Sequence, residues 1–453
     1  MRTLVRIGAL VAVLVVVSML GANASAAAPR SGPAAGPLPL AHALASSVTV
    51  KKNITVGKDP GAVVYDPANH LVYVALRGAS SVKAINATTN TVAKTIAVGK
   101  EPIGLVYDPS NKDLYVENYG SNSFSVISSS DKVVATVAIR GSFLGSTIYD
   151  GANGAIYTLS FAFVPPATLD YNLSKIDATT QAVTIIPIGT EAGFATYDNA
   201  SADIVVSNPT TAKLSVVNGT TNKITTVALT AGKIPAEGLY NAANKDLYVL
   251  DEGVSSHGTI GTGNISVLSA SNKIVATIKT GINPAFLQLD PANHDVYVTD
   301  LGKQNTGTGL YPDSNLTVIS TANKVATTLM VGKFAGIIAY SPKTNDLYVP
   351  CAESNTTYIV NATTNVLLSK TVATPQYPTV AVYSAVAGEV IVAGNANYTG
   401  TPTKSDLTVV STGNIVAGTV VLGVGPLGGY AYDPTVKASY VSNEGAGTVS
   451  VLV

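Results

Sequence analysis

One ten-residue block, repeated nine times, constrains this chain more than any other feature. It reads YDPANHLVYV at 65–74, YDPSNKDLYV at 107–116, YDGANGAIYT at 149–158, YDNASADIVV at 197–206 and YNAANKDLYV at 240–249. It continues as LDPANHDVYV at 289–298, YSPKTNDLYV at 340–349, YSAVAGEVIV at 383–392 and YDPTVKASYV at 432–441. The start-to-start spacings are 42, 42, 48, 43, 49, 51, 43 and 49 residues. A period in the forties built from short strands points to a β-propeller; a helical solenoid of similar period would carry a 3.6-residue apolar rhythm, which is absent.

Each copy divides into four strands. In the first, an apolar strand at Gly61–Tyr65 leads into the turn Asp66-Pro67-Ala68-Asn69, where the Asp side chain can cap its own backbone and Pro presets φ. A second strand, Leu71–Ala75, is expected to alternate apolar and polar faces. A third at Ser81–Asn86, a tight turn at Ala87–Asn90 and a fourth strand at Thr91–Val98 complete the unit. Valine, isoleucine, threonine and tyrosine dominate, as packed strands require. The chain stops after TVSVLV at 448–453, a third strand without a fourth, while SVTVKKNITVG at 47–57 reads as a fourth strand without a first three. The expectation is therefore an all-β ring of nine four-stranded blades over residues 47–453, closed by residues 47–56 completing the last blade. The copy around Tyr383, which lacks the Asp-Pro turn, is the one that could be irregular.

The N-terminus reads as a targeting segment. Arg2 and Arg6 precede the apolar run Ile7–Leu20, and Ala24-Ser25-Ala26 supplies a small-residue cleavage site. Residues 1–28 are thus expected to be a signal peptide and 29–46 a linker, giving an extracellular, cell-surface or periplasmic protein. The apolar run is short for a membrane span, and no second candidate follows. An uncleaved anchor is the alternative. The single cysteine, Cys351, excludes an intrachain disulfide, so ring closure has to take that role.

Charge is scarce and balanced. Lys+Arg and Asp+Glu number 27 each and together make 12% of the chain, which gives no field to attract nucleic acid or an anionic membrane. So low a charge content also suits an environment of extreme pH.

The pattern LYV-x-N…V-I…VV-TI-VG-x-x-P, carried by LYVENYGSNSFSVI at 114–127 and SYVSNEGAGTVSVL at 439–452, resembles the YVTN family of β-propeller repeats. The inter-blade segments Gly57-Lys58-Asp59-Pro60 and Gly99-Lys100-Glu101-Pro102 fit the same pattern. The resemblance implies an exported bacterial or archaeal protein of surface-layer-like or periplasmic type. Some related propellers carry haem or copper domains, but Cys-x-x-Cys-His is absent here, and no cofactor or metal is expected.

Four connections between second and third strands are expanded: Ser160–Asn172, Asp251–Gly263, Asp300–Ser314 and Gly394–Ser405. Insertions on one face point to an interaction surface, and Phe161, Phe163, Tyr171, His257, Tyr311 and Tyr398 are its candidate contacts. Neutral loop drift is the competing reading. His257 beside Asp251 and Glu252 lacks the spacing of a zinc site, His70 and His294 sit in ordinary turns, and the repeated Asp of the block is turn chemistry rather than a calcium ladder. Lys58, Lys100, Lys233 and Lys333 share one inter-blade position, where Asp59 and Glu101 offset two of them. Sequons occur at Asn53, Asn86, Asn172, Asn199, Asn218, Asn264, Asn315, Asn355, Asn361 and Asn397, against about six by chance. These readings favour a non-catalytic scaffold or binding protein with a protein or envelope-glycan partner. A lactonase-like hydrolase with a channel metal and a structural subunit of a surface array are the alternatives.

Overall fold

The computed structural model describes residues 48–453 except 165–167, 190, 230–233, 254–259, 306–309, 375–376, 385–387, 395–403 and 425–426. The proposed signal peptide and linker, Lys233, His257, Asn397 and Tyr398 lie outside the described residues.

Nine antiparallel sheets form the molecule, one for each copy of the repeat. In blade 1 the strands are Pro60–Asp66, Leu71–Leu76, Ser81–Asn86 and Thr91–Ala97, hydrogen-bonded in that order. The copy around Tyr383 builds an ordinary blade from Pro378–Ser384, Glu389–Gly394, Lys404–Val410 and Val416–Val424. Blade 7 is the irregular one: its outer strand is split into Val366–Leu367 and Val372–Ala373, both paired with Thr356–Asn361. Blade 9 takes Leu427–Asp433, Ala438–Asn443 and Thr448–Leu452 from the C-terminus and Val50–Thr55 from the N-terminus. The ring is closed as the two chain ends imply.

The second strand departs from the expected alternation. Every residue of Leu71–Leu76 is buried, and so is every residue of Asp346–Cys351 and Ala438–Asn443. A neighbouring blade covers each face of the sheet, so there is no wet side for a polar residue to occupy. Alternation appears instead on the outer strand, where Thr91–Ala97 is exposed except at Ile96 and, in part, Val92. The core is accordingly a ring of layers. One apolar cluster fills each interface between adjacent blades: Val64, Tyr73 and Val82 of blade 1 meet Leu105 and Leu114 of blade 2, and Val74 and Leu76 meet Tyr440 and Val451 across the closure.

The repeated turns hold as their chemistry implies. Asp66 Oδ1 accepts the Ala68 N–H at 2.8 Å, and Asp108, Asp150, Asp198, Asp290 and Asp433 make the same bond two residues on. The residue ending that turn is left-handed, as at His70, Lys112 and His294.

The tyrosine of the second strand links each blade to the next. Its ring is buried and its hydroxyl donates to the turn between third and fourth strands of the following blade. Tyr248 reaches Asn323 Oδ1 at 2.5 Å, Tyr348 reaches Asn414 Oδ1 at 2.6 Å and Tyr157 reaches the Gly219 carbonyl at 3.1 Å. Tyr73 bonds Asp131, Tyr297 bonds Asn365, Tyr115 bonds the Ala178 carbonyl, and Tyr440 carries the latch across the closure to Asn90. Val205 and Ile391 stand in the tyrosine position of blades 4 and 8. At blade 4 the link is made by Asn272 Nδ2 donating to Asp203 Oδ2 at 2.7 Å. At blade 8 the following blade has no such turn, because the chain ends meet there, and Ile391 packs against Val48 and Leu452 instead.

Tyr297→Phe keeps the ring and strips the latch. It leaves Asn365 Oδ1 without that donor, at a cost of about 1–2 kcal/mol, or roughly 2 °C in melting temperature for a chain of this length. A thermal melt in which Tyr297→Phe matches the parent would remove the latch from the list of stabilising contacts.

Candidate interaction face

The connections between second and third strands share a face with the segments joining one blade to the next. The Arg77 N–H donates to the Asp59 carbonyl, Tyr119 to Glu101, and Ala352 to Phe334, tying the two sets of loops together. In blades 1, 2, 4, 7 and 9 the second-to-third connection is a single 3-10 turn, such as Arg77–Ala79 or Ala352–Ser354, ended by a left-handed residue. Blades 3, 5, 6 and 8 are the ones with longer connections.

In blade 3 the expected loop Ser160–Asn172 is largely strand. Ala155–Val164 and Thr168–Asp177 pair in continuous register from Ala155 opposite Asp177 to Val164 opposite Thr168. Each is ten residues long, where the second strands of the other blades have five to seven. The repeat reading stopped at the usual strand length; the alternating run FAFV was the signal that the ladder continues. Ion pairing of Arg140 with Asp170 at 2.8 Å and the tilted rings of Phe161 and Tyr171, 6.1 Å apart, brace its base. Its tip presents Phe163 (66% exposed) and Leu169 (42%) to solvent.

In blade 6, between Val296–Asp300 and Asp313–Ser320, the connection walls a cavity of about 630 Å³ together with Lys333. Tyr311 stands at its edge. Its ring meets Phe334 edge-on with centroids 4.9 Å apart, and Phe334 in turn lies 6.0 Å from Tyr377. The Tyr311 N–H donates to Glu353 Oε2 at 2.8 Å. Phe334 and Tyr377 were not among the sequence candidates, and their backbone sets them apart. One residue of the inter-blade segment is left-handed in blades 1, 2, 6, 7 and 8, with φ of 51°, 50°, 57°, 55° and 59°; it directly precedes the first strand in blades 1, 2, 6 and 8 and, in blade 7, the isolated bridge of Ala335 to Cys351. Asp59, Glu101 and Asn283 fill it in the first three, while Phe334 and Tyr377 fill it in blades 7 and 8. Bulky side chains rarely adopt this conformation, and each costs on the order of 1–3 kcal/mol. An aromatic where other copies carry Asp, Glu or Asn was the readable sign.

Carboxyls are buried inside the blades. Burial pushes Glu117, on the second strand of blade 2, up to about 7. Its Oε2 would lie 2.3 Å from a Cβ at residue 104, so a side chain at Gly104 would have to displace the Glu117 carboxyl. Asp300 is pushed up to about 7 by burial despite accepting the Thr317 hydroxyl at 2.6 Å, and half-buried Glu237 is pushed to about 7 as well. Glu252 shifts in the same direction by burial. Asp251 and Asp300 occupy the position of Asn118 and Asn443, each bonded to a third-strand hydroxyl: Ser266, Thr317, Ser125 and Ser450 in turn. In these four blades the column is part of the internal hydrogen bonding. Among the described residues no three His, Cys, Asp or Glu side chains come together as metal ligands.

The remaining candidates have plain surroundings. Cys351 is fully buried, its thiol pushed up to about 12 by burial. Lys58 and Lys100 are exposed. The His70 Nδ1 lies 2.9 Å from the Tyr65 hydroxyl. Asn86, Asn218 and Asn361 each accept the backbone N–H three residues on, while Asn172 is wholly buried with its amide donating to the Asp170 carbonyl, leaving no room for a glycan in the folded chain. Asn53, Asn199, Asn315 and Asn355 are exposed and Asn264 is half-buried. No described helix is long and apolar enough to cross a membrane.

No protein-family profile matches the chain, and no curated protein does. Among solved structures it is similar to the hydrazine synthase of Kuenenia stuttgartiensis, at 14% identity over 92% of this chain and 98% of that one, with a TM-score of 0.42. It is also similar to the dihydro-haem d1 dehydrogenase NirN in complex with DHE, at 13% identity over 75% of this chain and 81% of that one, with a TM-score of 0.48. Neither likeness bears on chemistry. The chain is a nine-bladed β-propeller on the strength of its own sheets.

Proposed function

We propose that the chain is a non-catalytic extracellular or cell-surface binding protein of the YVTN-repeat type, which engages its partner through the face carrying the blade 3 hairpin. One observation carries this reading: the hairpin extends beyond the common strand length and ends in exposed Phe163, Val164 and Leu169. Apolar side chains of this size grouped near the end of a hairpin braced at its base cost solubility, and a partner that covers them offsets that cost. The N-terminal Arg2, Arg6 and Ile7–Leu20 pattern supports export, and the partner is then a protein or glycan of the cell envelope.

A structural subunit of a surface array is favoured by a separate observation. The outer strands expose Val134 (59%), Val275 (55%) and Met330 (67%) around the circumference, where lateral neighbours would pack.

Pull-down of the mature protein on isolated native envelopes tests the first reading. Phe163→Ser combined with Leu169→Ser is expected to weaken envelope binding at least tenfold with an unchanged melting temperature. Full retention of binding by that variant would dismiss the hairpin, and loss of a regular lattice from envelopes of a deletion strain would favour the array.

A further inference from the structure

Resting on the reading that the chain is exported, we propose that it carries N-linked glycans at Asn53, Asn86, Asn199, Asn315, Asn355 and Asn361, two of which cover apolar side chains left bare on the outer strands. Nine sequon asparagines lie among the described residues. In seven of them the side-chain nitrogen donates to no other protein group among the described residues. The other two spend it inside the fold, Asn172 on the Asp170 carbonyl and Asn218 on Asp203 Oδ1. Asparagines outside sequons mostly do the same. Asn69, Asn244, Asn293, Asn323 and Asn365 all donate that nitrogen within the fold. The nitrogen left free at the seven is the atom to which a glycan is joined.

The oxygen of the same amide is held in four of the six. Asn53 Oδ1 accepts the Ser450 hydroxyl at 2.7 Å, and Asn355 Oδ1 accepts the Tyr377 N–H at 2.9 Å. Asn86 and Asn361 accept the N–H of Thr89 and Thr364 at 2.9 and 3.0 Å. Each bond survives glycosylation, because the modified amide keeps its oxygen and loses one N–H. Asn199 and Asn315 are exposed, and Asn264, half-buried within its sheet, stands outside the set. Two of the six have bare aliphatic neighbours. Asn315 lies directly opposite Met330 and Asn361 directly opposite Val366, which are 67% and 54% exposed. Directly opposed side chains share a face with Cβ atoms about 5 Å apart, so the first sugar of each glycan lies against an aliphatic side chain. Glycans also supply polar surface to a chain with only 12% charged residues.

The step is a glycosyl transfer at export, with an oligosaccharide on a polyprenyl phosphate as donor. The amide nitrogen bonds to the anomeric carbon and gives up one proton to solvent. The bond from that carbon to the phosphate oxygen breaks, and the lipid phosphate leaves with the electron pair; nothing is oxidised or reduced. The acceptor motif also needs the hydroxyl two residues on. At Thr317 and Thr357 that hydroxyl is buried and bonded inside the fold, so transfer to Asn315 and Asn355 comes before folding. Asn172 is wholly buried, so a chain modified there cannot complete blade 3, and folded molecules are bare at that residue.

The test is glycopeptide mapping by mass spectrometry on protein purified from the cells that produce it. Sugar is expected on the peptides carrying Asn53, Asn86, Asn199, Asn315, Asn355 and Asn361, and none on Asn172. Bare protein recovered from outside the cell overturns the proposal and leaves export standing; bare protein recovered from the cytoplasm ends both. Sugar on Asn172 in folded protein, or sugar confined to Ser and Thr, overturns it as well. Coverage of the aliphatic side chains has its own readout. Asn315→Gln combined with Asn361→Gln is expected to raise the binding of a hydrophobic dye about twofold, with the circular dichroism spectrum unchanged. Adding Met330→Ser and Val366→Ser to that variant is expected to bring the dye signal back to the parent level. An unchanged dye signal in the first variant, or a raised one that the serines do not reverse, would overturn the coverage.

Discussion

The protein is expected to melt on the order of 5 °C higher at pH 5 than at pH 8, the reverse of what paired surface carboxylates produce. Burial, with no cation beside them, pushes Glu117 and Asp300 up to about 7 in the folded state. In the unfolded chain both ionise near their ordinary values, around 4. Between about pH 4 and 7 the folded state therefore holds protons that the unfolded state has lost, and by linkage stability falls as pH rises through that window. Above 7 both states are ionised and the loss is complete. Each group contributes roughly 3 kcal/mol across the window; both side chains are under 5% exposed, so solvent screening removes little of it. Half-buried Glu237 and Glu252 shift in the same direction. Asp177, held down by the Thr180 backbone and hydroxyl, opposes them.

The control is a pair of neutral near-isosteres. Glu117→Gln and Asp300→Asn remove the ionisation without changing volume, so the double variant should melt several degrees higher than the parent at pH 8 and about equally at pH 5. Its profile against pH should be flatter. A parent whose melting temperature climbs from pH 5 to pH 8, or a variant that tracks it in parallel, would show that these carboxyls do not set the dependence. The low charge content of the chain fits the same picture: at pH 3 few carboxylate pairs are left to break, and the fold is expected to persist there.

The architecture was legible because it is written nine times. The Asp66 turn, the strand order within a blade and the match between TVSVLV at 448–453 and SVTVKKNITVG at 47–57 each follow from aligning copies, and each appears as expected. What alignment hides is any contact between copies. The Tyr73 hydroxyl finds its partner at Asp131, one blade further on, and nothing local to YDPANHLVYV indicates that. The expected alternation at Leu71–Ala75 failed for the same reason, since burial of both faces comes from the neighbouring blades. Features that break the repeat are visible in the sequence. Glu117 stands where blade 1 has Ala75 and blade 3 has Leu159, and Phe334 stands where blade 1 has Asp59. A charge in a column of otherwise uncharged residues and a ring in a turn column proved to be sites of buried ionisation and of backbone strain, respectively. Drift and function look alike in a single sequence. What the geometry adds is the backbone: Phe334 and Tyr377 hold a left-handed conformation that bulky side chains rarely adopt.

Deleting residues 47–56 is expected to be the most damaging small truncation this chain can suffer. Val50–Thr55 is the outer strand of blade 9, paired with Thr448–Leu452 from Val50 opposite Leu452 to Thr55 opposite Thr448. Val48, Ile54 and Val56 are buried, the last two in the cluster that joins blades 9 and 1. Burying three such side chains is worth roughly 6 kcal/mol. Exchanged backbone bonds between Thr49 and Val453, at 3.0 and 3.1 Å, pin the two ends of the chain side by side. The polar side agrees: Ser450 donates to Asn53 Oδ1 at 2.7 Å and accepts from the Asn443 amide at 2.9 Å. Without this strand the melting temperature should fall by about 5–10 °C, and the bared edge of Thr448–Leu452 should make the protein aggregate on heating. Lys51→Ala with Lys52→Ala, on the exposed side of the same strand, should change little. The sharpest form of the experiment adds a synthetic peptide of residues 47–57 back to the truncated protein. Closure is non-covalent at this one seam, so the peptide is expected to restore most of the lost stability in proportion to its occupancy, and an Ile54→Asp version of the peptide is not. A truncated protein that melts with the parent, or that gains nothing from the peptide, would mean that the eight self-contained blades and the three-stranded ninth hold the ring without their closing strand.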